Sequence, residues 1–461
     1  MSEDLESAVE ELLKRADDNK PIAVSDCDSF LNDIPRFTAK HGMEETKKFL
    51  TFLGNPDENM KIIHVAGTNG KGSVCCYMQS VLLKAGYRVG LFTSPHLVRI
   101  NERFCVDGKP ISDGLFIEIF IETLRRICEY REEGEFYFPT YFEYLFFMAM
   151  ILYDVYPVDY LILETGLGGR LDATNSVENP QVSVITEIGY DHMQYLGDTL
   201  EKIASEKAGI IKKNIPVVFF DKRQETTEVI KKKALEMDAR AITVKKEAIE
   251  NPRICGENSG NKHIAFCFNS LYDKYVDLNL STLAMYQTEN ASIAIQALEI
   301  LRDKGADISE LDIREGLISA KWDGRMEEIR PGIFVDGAHN IDGISAFLES
   351  TGQIECEGKK LLLFGVASDK QYPEIVRMLL ESRQFAGIYA AVMDSYRSVS
   401  VSDMKMAFED AKDELGIIGL PIKYYSDVRD AVTDIITMRK SGDIVFAAGS
   451  LYLVGEIKSF V

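Results

Sequence analysis

Residues 62–86 read "IIHVAGTNGKGSVCCYMQSVLLKAG", and this stretch decides the fold. It runs from a short apolar strand into a glycine-rich turn and then into a helix. Gly67, Gly70, Lys71, Gly72 and Ser73 fall together in that turn, more glycines than a tight turn needs. Strand, glycine turn, lysine, hydroxyl and helix start follow the logic of a phosphate-binding loop. In such a loop, backbone N–H groups and the helix N-terminus hold phosphate oxygens. Lys71 would neutralise charge between the outer phosphates, and the Ser73 hydroxyl would meet Mg²⁺. An extra glycine separates Lys71 from Ser73, so the spacing departs from the commonest version of the motif.

Working outward, strand and helix patterns alternate along nearly the whole chain, which predicts parallel α/β sheets. "KIIHVAG", "RVGLFTS", "VDYLILETG", "QVSVITEIG", "PVVFF" and "AITVK" read as strands of a first series. "KHIAFCFNSLYDKYVDLNL" alternates with period two and predicts a hairpin. A second series runs through "GIFVDGAHN", "KKLLLFGVA", "FAGIYAAVM", "LPIKYYS" and "DIVFAAGS". With 461 residues the chain exceeds what one core organises. The boundary is placed near Lys321, giving a large nucleotide-binding domain over 1–321 and a smaller Rossmann-like domain over 322–461. Ligands in such sheets bind beyond the carboxyl ends of strands, so the loops after strands carry the site.

The bulk numbers set outer limits. Hydrophobic content of 46% with 27% charged residues fits a soluble enzyme. Fifty-two basic against 73 acidic residues give a net charge of −21, which disfavours nucleic-acid and anionic-membrane partners. The N-terminus lacks a signal-peptide pattern, and the longest apolar run, "YLFFMAMILY", is about half a membrane span. Eight cysteines without a C-x-x-C pair read as reduced thiols of a cytoplasmic protein.

In "GDTLEKIASEKAGIIKK", Asp198 or Thr199 caps a helix whose apolar stripe runs through Leu200, Ile203, Ile210 and Ile211. Lys207 falls on that stripe, while Lys202 and Glu206 fall on the other side. An inward lysine must pair, snorkel or lose its proton. Two readings stand: a stem buried beside a carboxylate, or a neutral amine that takes up CO₂ to become an anionic carbamate. Glu164 ends "LILETGLGGRLDATN" and His192 lies just past "VSVITEIGYDH", so adjacent strands deliver a carboxylate and an imidazole to one edge. A modified Lys207 would complete a metal site of O, N and O ligands. Arg170 either binds an anion or ties its loop through Asp172. Thr140 and Glu143 fit a capping box, with a substrate contact as the alternative. "WDGRMEEI" puts Arg325 in the hinge, as a phosphate ligand or as a solvated linker charge. "FVDGAHN" puts Asp336 and His339 beyond the first strand of the second series, as candidates for nucleotide contacts.

The motifs "HVAGTNGKGS", "FTSPHL", "ETGLGGRLDATN", "EKAGI", "DGAHN" and "GSLYLVGEI" appear in that order. Together they resemble the folylpolyglutamate synthase/dihydrofolate synthase family of the Mur ligase superfamily. The resemblance implies an ATP-dependent amide ligase in which a carboxylate becomes an acyl phosphate and the amine of L-glutamate displaces phosphate. It implies that Asn69, Gly70, Lys71, Gly72 and Ser73 hold the triphosphate, with Asn290, Arg325 and Asp336 also on ATP and His339 beside the reaction centre. Ser94 and Glu164 would hold one Mg²⁺, and His192 with carbamylated Lys207 a second. The folate or dihydropteroate acceptor would lie along Ile34, Pro35, Arg36 and Phe37, along Thr140, Tyr141, Phe142 and Glu143, and along Leu171, Asp172 and Ala173. A monomer is expected.

Three departures from the family pattern stand out. Tyr286-Gln287 replaces the usual His-Gln before Asn290, "WDGR" lacks the usual hinge proline, and "IPRFTAKHGMEETKKFL" fits the pterin loop only loosely. Two other readings compete. A Mur ligase acting on a nucleotide-linked muramoyl acceptor would need a third, N-terminal domain, and a simple P-loop switch would need no second metal site.

Overall fold

The computed structural model describes residues 3–34, 42–132, 138–256, 262–395 and 397–460. Pro35, Arg36 and Phe37 lie outside the described residues.

The six strands of the first series all form. They are β1 (Ile62–Ala66), β2 (Val89–Phe92), then, after β3 (Phe104–Val106) and β4 (Lys109–Pro110), β5 (Tyr160–Glu164), β6 (Val182–Ile185), β7 (Val217–Asp221) and β8 (Ala241–Lys245). They make one sheet in the order β4-β3-β2-β5-β1-β6-β7-β8. From β2 to β8 every pairing is parallel. The two short strands β3 and β4 add an antiparallel edge. They were not legible in the sequence, because three and two residues are too few to show a period.

The alternating segment forms the expected hairpin from β10 (His263–Asn269) and β11 (Lys274–Leu280), and β9 (Ile249–Cys255) adds a third antiparallel strand. The second series makes a separate sheet. Its strands are β12 (Glu327–Arg330), β13 (Ile333–Val335), β14 (Lys360–Phe364), β15 (Gly387–Ala391), β16 (Ile422–Tyr425) and β17 (Ile444–Ala448), in the order β12-β13-β17-β14-β15-β16. All but β12 run parallel.

Helices cover the first sheet because its central strands are apolar on both faces. Helix Tyr141–Val155 is apolar around its whole circumference and is sunk in a core with helix Asp113–Glu132. Helices Lys71–Lys84, Gln287–Asp303 and Glu310–Ser319 build the core on the other face. Gly316 permits a close crossing there: a Cβ on it would come within 2.5 Å of Val81. Ser80 Oγ donates to Gly316 O at 2.7 Å, which secures the crossing. Ile34, expected at the acceptor site, instead closes helix Val24–Asp33 and packs in this structure's second core at 1% exposure. An isoleucine ending an amphipathic helix gains more from burial there than from a ligand face.

The eight cysteines are all free thiols, five of them buried. Among the described residues no helix is long and apolar enough to cross a membrane. The carboxyl ends of β1, β2, β5 and β6 in the first sheet, and of β13 and β17 in the second, open toward one cleft.

Candidate active site

The glycine turn follows β1 and feeds helix Lys71–Lys84. Gly70 caps that helix in a left-handed conformation, φ +86°, and a Cβ there would lie 2.2 Å from Asn290 Oδ1. Both facts require glycine. Thr68 and Asn69 donate their N–H groups to Glu187 O, and Thr186 Oγ1 donates to Asn69 O, which pins the turn to the end of β6. Lys71 Nζ donates to Gly67 O at 3.2 Å and lies 3.9 Å from Glu164 Oε1. Ser73 is buried, and its Oγ accepts from Gln287 Nε2 at 3.1 Å. Asn69 Nδ2 is buried without a protein partner among the described residues, a donor left over for a ligand oxygen.

Glu164 is the last residue of β5. Its Oε2 accepts from the Ser94 N–H at 3.1 Å. Burial pushes its carboxyl up to about 7, although Lys71, the Ser94 N–H, Arg325 and Arg103 all pull the other way. A carboxyl whose desolvation outweighs these neighbours suits a cation that would hold it ionised.

Lys207 points inward, as its place on the apolar stripe predicts. Thr199 caps its helix, Leu200–Ala208, accepting from Lys202 N. The lysine is 3% exposed, and Nζ donates to Gly67 O at 2.7 Å. Burial, reinforced by Lys71, lowers its pKa to about 7, while Asp191 and Asp172 oppose the shift. A substantial fraction is therefore neutral amine near neutral pH. His192, at φ +50°, opens the short helix Met193–Leu196. Burial lowers its imidazole to about 4 against the pull of Asp191, so it stands as a neutral nitrogen donor.

The hinge meets the first sheet through Asp336. Its carboxylate accepts from Tyr286 Oη at 2.6 Å, Met326 N at 3.0 Å and Ala338 N at 2.8 Å. These protein donors occupy both oxygens, so in this structure Asp336 fixes the hinge. Arg325 donates to Gly324 O at 3.0 Å and lies close enough to Glu164 to lower its pKa. Both His339 ring nitrogens face acceptors, Gly337 O at 2.7 Å and Asp191 Oδ2 at 3.3 Å.

One cleft of about 180 Å³ is lined by Gly67–Ser73, Ser94, Glu164, His192, Lys207, Asn290, Arg325, Asp336 and His339. The structure thus brings the expected phosphate, metal and hinge residues together. Among the described residues no three His, Cys, Asp or Glu side chains cluster as a metal centre.

The described residues expected at the acceptor do not line this cleft. Glu143 accepts from both Thr140 N (2.8 Å) and Thr140 Oγ1 (2.9 Å), so the capping-box reading holds. Phe142 packs over Gly166, where a Cβ would meet its ring at 2.6 Å, and Tyr141 lies under Arg103 at 5.7 Å. Asp172 accepts from Leu167 N, Thr174 N and Thr174 Oγ1, ties its own loop and is buried with Ala173. Leu171 is 40% exposed. Arg170 follows neither expectation: it donates twice to Glu206, at 2.8 and 3.0 Å, because the Leu200–Ala208 helix passes directly beneath it.

Sequence reasoning missed Asp191, Lys370 and Arg103, and placed Asn340 past its strand without giving it a role. Asp191 accepts from Lys370 Nζ, from Asn340 Nδ2 at 3.4 Å and from the His192 N–H at 2.8 Å. Burial alone would raise its pKa, but His339, Lys370 and His192 hold it well below the usual carboxylate range. Asn340 Nδ2 also donates to Asn69 Oδ1 at 3.0 Å. Arg103 is buried and donates to His96 Nδ1 at 2.9 Å. The signal for Asp191 was its place beside His192 in "GYDH"; Lys370 follows β14 and had no local signal.

A phosphate loop on one α/β unit facing a second parallel sheet defines a Mur-type ligase, and the comparisons agree. Residues 131–298 match the Mur ligase middle domain, and residues 324–451 match the Mur ligase glutamate ligase domain. The dihydrofolate synthase/folylpolyglutamate synthase of Bacillus subtilis is 35% identical over 441 residues, 95% of this chain and 98% of that protein. The structure of Mycobacterium tuberculosis folylpolyglutamate synthase complexed with ADP superposes with a TM-score of 0.83 at 26% identity, covering 95% of this chain and 97% of that one. Escherichia coli FolC in complex with DHPP and ADP gives 0.80 at 29% identity, covering 95% and 97%. The chain belongs to the dihydrofolate synthase/folylpolyglutamate synthase family and is an ATP-dependent ligase.

Proposed function

We propose that the chain joins L-glutamate to a carboxyl of tetrahydrofolate, with dihydropteroate as the second acceptor to be tested. An acceptor carboxylate oxygen attacks the γ-phosphorus of ATP, the bond to ADP breaks, and an acyl phosphate forms. The glutamate nitrogen then attacks the acyl carbon, loses a proton, and phosphate leaves. Lys71 and Arg325 face the phosphoryl oxygens, where charge gathers in the transition state. Asn69 to Ser73 cradle the triphosphate, and Asn290 and Asp336 flank the nucleotide. His339, held by Asp191, stands beside the reacting carbonyl.

Ser73, Ser94 and Glu164 would hold one Mg²⁺, and His192 with a carbamylated Lys207 a second. The undercompensated carboxylate of Glu164 and the buried, partly neutral amine of Lys207 support this assignment. Bound there, the ions neutralise phosphoryl oxygens. The acceptor lies along Thr140–Glu143 and Leu171–Ala173, outside the nucleotide cleft. The division into domains 1–321 and 322–461, a monomeric state and a cytoplasmic location complete the reading.

The observation that carries it is the convergence of Lys71, Glu164, Lys207, Arg325 and His339 on one cleft. The test is phosphate release with ATP and Mg²⁺, run with and without glutamate and with tetrahydrofolate or dihydropteroate. Release that needs both amine and acceptor supports the ligase. Release independent of both favours a P-loop regulator.

A further inference from the structure

The cleft has a charged end and an apolar end. From the glycine turn it runs past Asn290 to Phe220, Ile293, Gly343 and Ala346. With phosphates on Lys71, a purine falls at this apolar end, where flat rings gain most from burial.

Three polar side chains could read the base there. Asn290 is 6% exposed, its Nδ2 donates to Gln287 Oε1 at 2.9 Å, and its Oδ1 lies beside Gly70, at the phosphate end of the cleft. Glu187 accepts from Lys222 Nζ. Glu289 is different. It lines the cleft with its side chain only 17% exposed, yet its one ion pair among the described residues is with Lys246 at 3.8 Å, beyond hydrogen-bond distance, and Lys222, which also attracts it, bonds Glu187 instead. No described residue donates a hydrogen bond to it. A largely buried carboxylate without donors is costly unless a ligand supplies one.

We propose that Glu289 is the specificity-determining residue for the nucleotide base, its carboxylate accepting from the exocyclic 6-amino group of adenine. An ionised carboxylate only accepts, so it selects a base edge that presents N–H donors there. Purine lacking that amino group leaves Glu289 desolvated and unpaired. The proposal rests on ATP being the phosphoryl donor.

The experiment compares ATP with purine ribonucleoside triphosphate, which lacks only the 6-amino group, in wild type and in Glu289→Ala. Wild type should lose about tenfold or more in kcat/KM on the analogue. Glu289→Ala should lose about twofold or less between the same two nucleotides, whatever its absolute rate. Equal use of both nucleotides by wild type overturns the proposal, as does an undiminished penalty in the variant. If Glu289→Ala fails to fold, Glu289→Leu, which keeps the buried volume but cannot accept a hydrogen bond, takes its place in the same comparison. Absence of acceptor-dependent phosphate release with ATP would instead defeat the ligase reading, a result that the two-nucleotide ratio does not mimic.

Discussion

The ε-amino nitrogen of Lys207 lies 2.7 Å from the carbonyl oxygen of Gly67, so a helix lysine from residue 207 hydrogen-bonds the first residue of the phosphate turn. Two segments 140 residues apart are thereby fixed to each other at the centre of the cleft. If this lysine carries a carbamate, Lys207→Ala should lower glutamate-dependent phosphate release by on the order of 100-fold or more, with ATP binding retained. Short carboxylic acids added to the variant should restore part of the rate. Full activity in Lys207→Ala would remove the carbamate role.

The same lysine predicts a pH signature in stability. Its pKa falls from 10.5 in the unfolded chain to about 7 in the fold. Between those values the unfolded chain binds a proton that the folded one does not, so this group's contribution makes stability rise with pH from about 7 toward 10.5. Below about 7 the full cost of burying the cation is present. Melting curves in bicarbonate-free buffer should show a steeper rise across that window for wild type than for Lys207→Met. Parallel profiles would show that the amine is not buried as described.

Arg325 tests the hinge. Replacing it with alanine should lower kcat about tenfold or more, on the order of 1.4 kcal/mol of transition-state stabilisation. Steady-state kinetics at saturating ATP measure this. An unchanged kcat would make the arginine a linker charge.

Gly72 faces the only tryptophan in the chain. A Cβ at Gly72 would lie 2.6 Å from Trp322 Cζ2, so Gly72→Ala must displace the indole. We expect a loss of about 1–3 kcal/mol in stability and a shift in intrinsic tryptophan emission. An unshifted emission spectrum would mean that the hinge yields without moving Trp322.

What could be read in advance follows from how local each signal is. The glycine turn, Glu164 and His192 announce themselves because strand ends and glycine clusters are contiguous in sequence. Lys207 was legible because it breaks the periodicity of its own helix, and burial at 3% exposure is what that break required. Asp191 and Lys370 meet across 179 residues, and nothing local in either segment marks the pairing. Arg170 was misread for a related reason: its partner Glu206 comes from a helix whose docking is set by tertiary packing. The edge strand β12, "EEIR", has no fully buried residue, so its pairing with β13 leaves little hydrophobic trace. Asp172 ties its loop through Thr174 rather than through Arg170, because short acidic side chains take the nearest local donors.

Asp191 closes the first half of the chain onto the second through His339, Asn340 and Lys370, and the next residue along is His192. This geometry makes a mechanical interlock. Pulling the two halves apart would disconnect His339, free Asn69 from Asn340 and return Asp191 to an ordinary carboxylate, since His339 and Lys370 are what hold its pKa down.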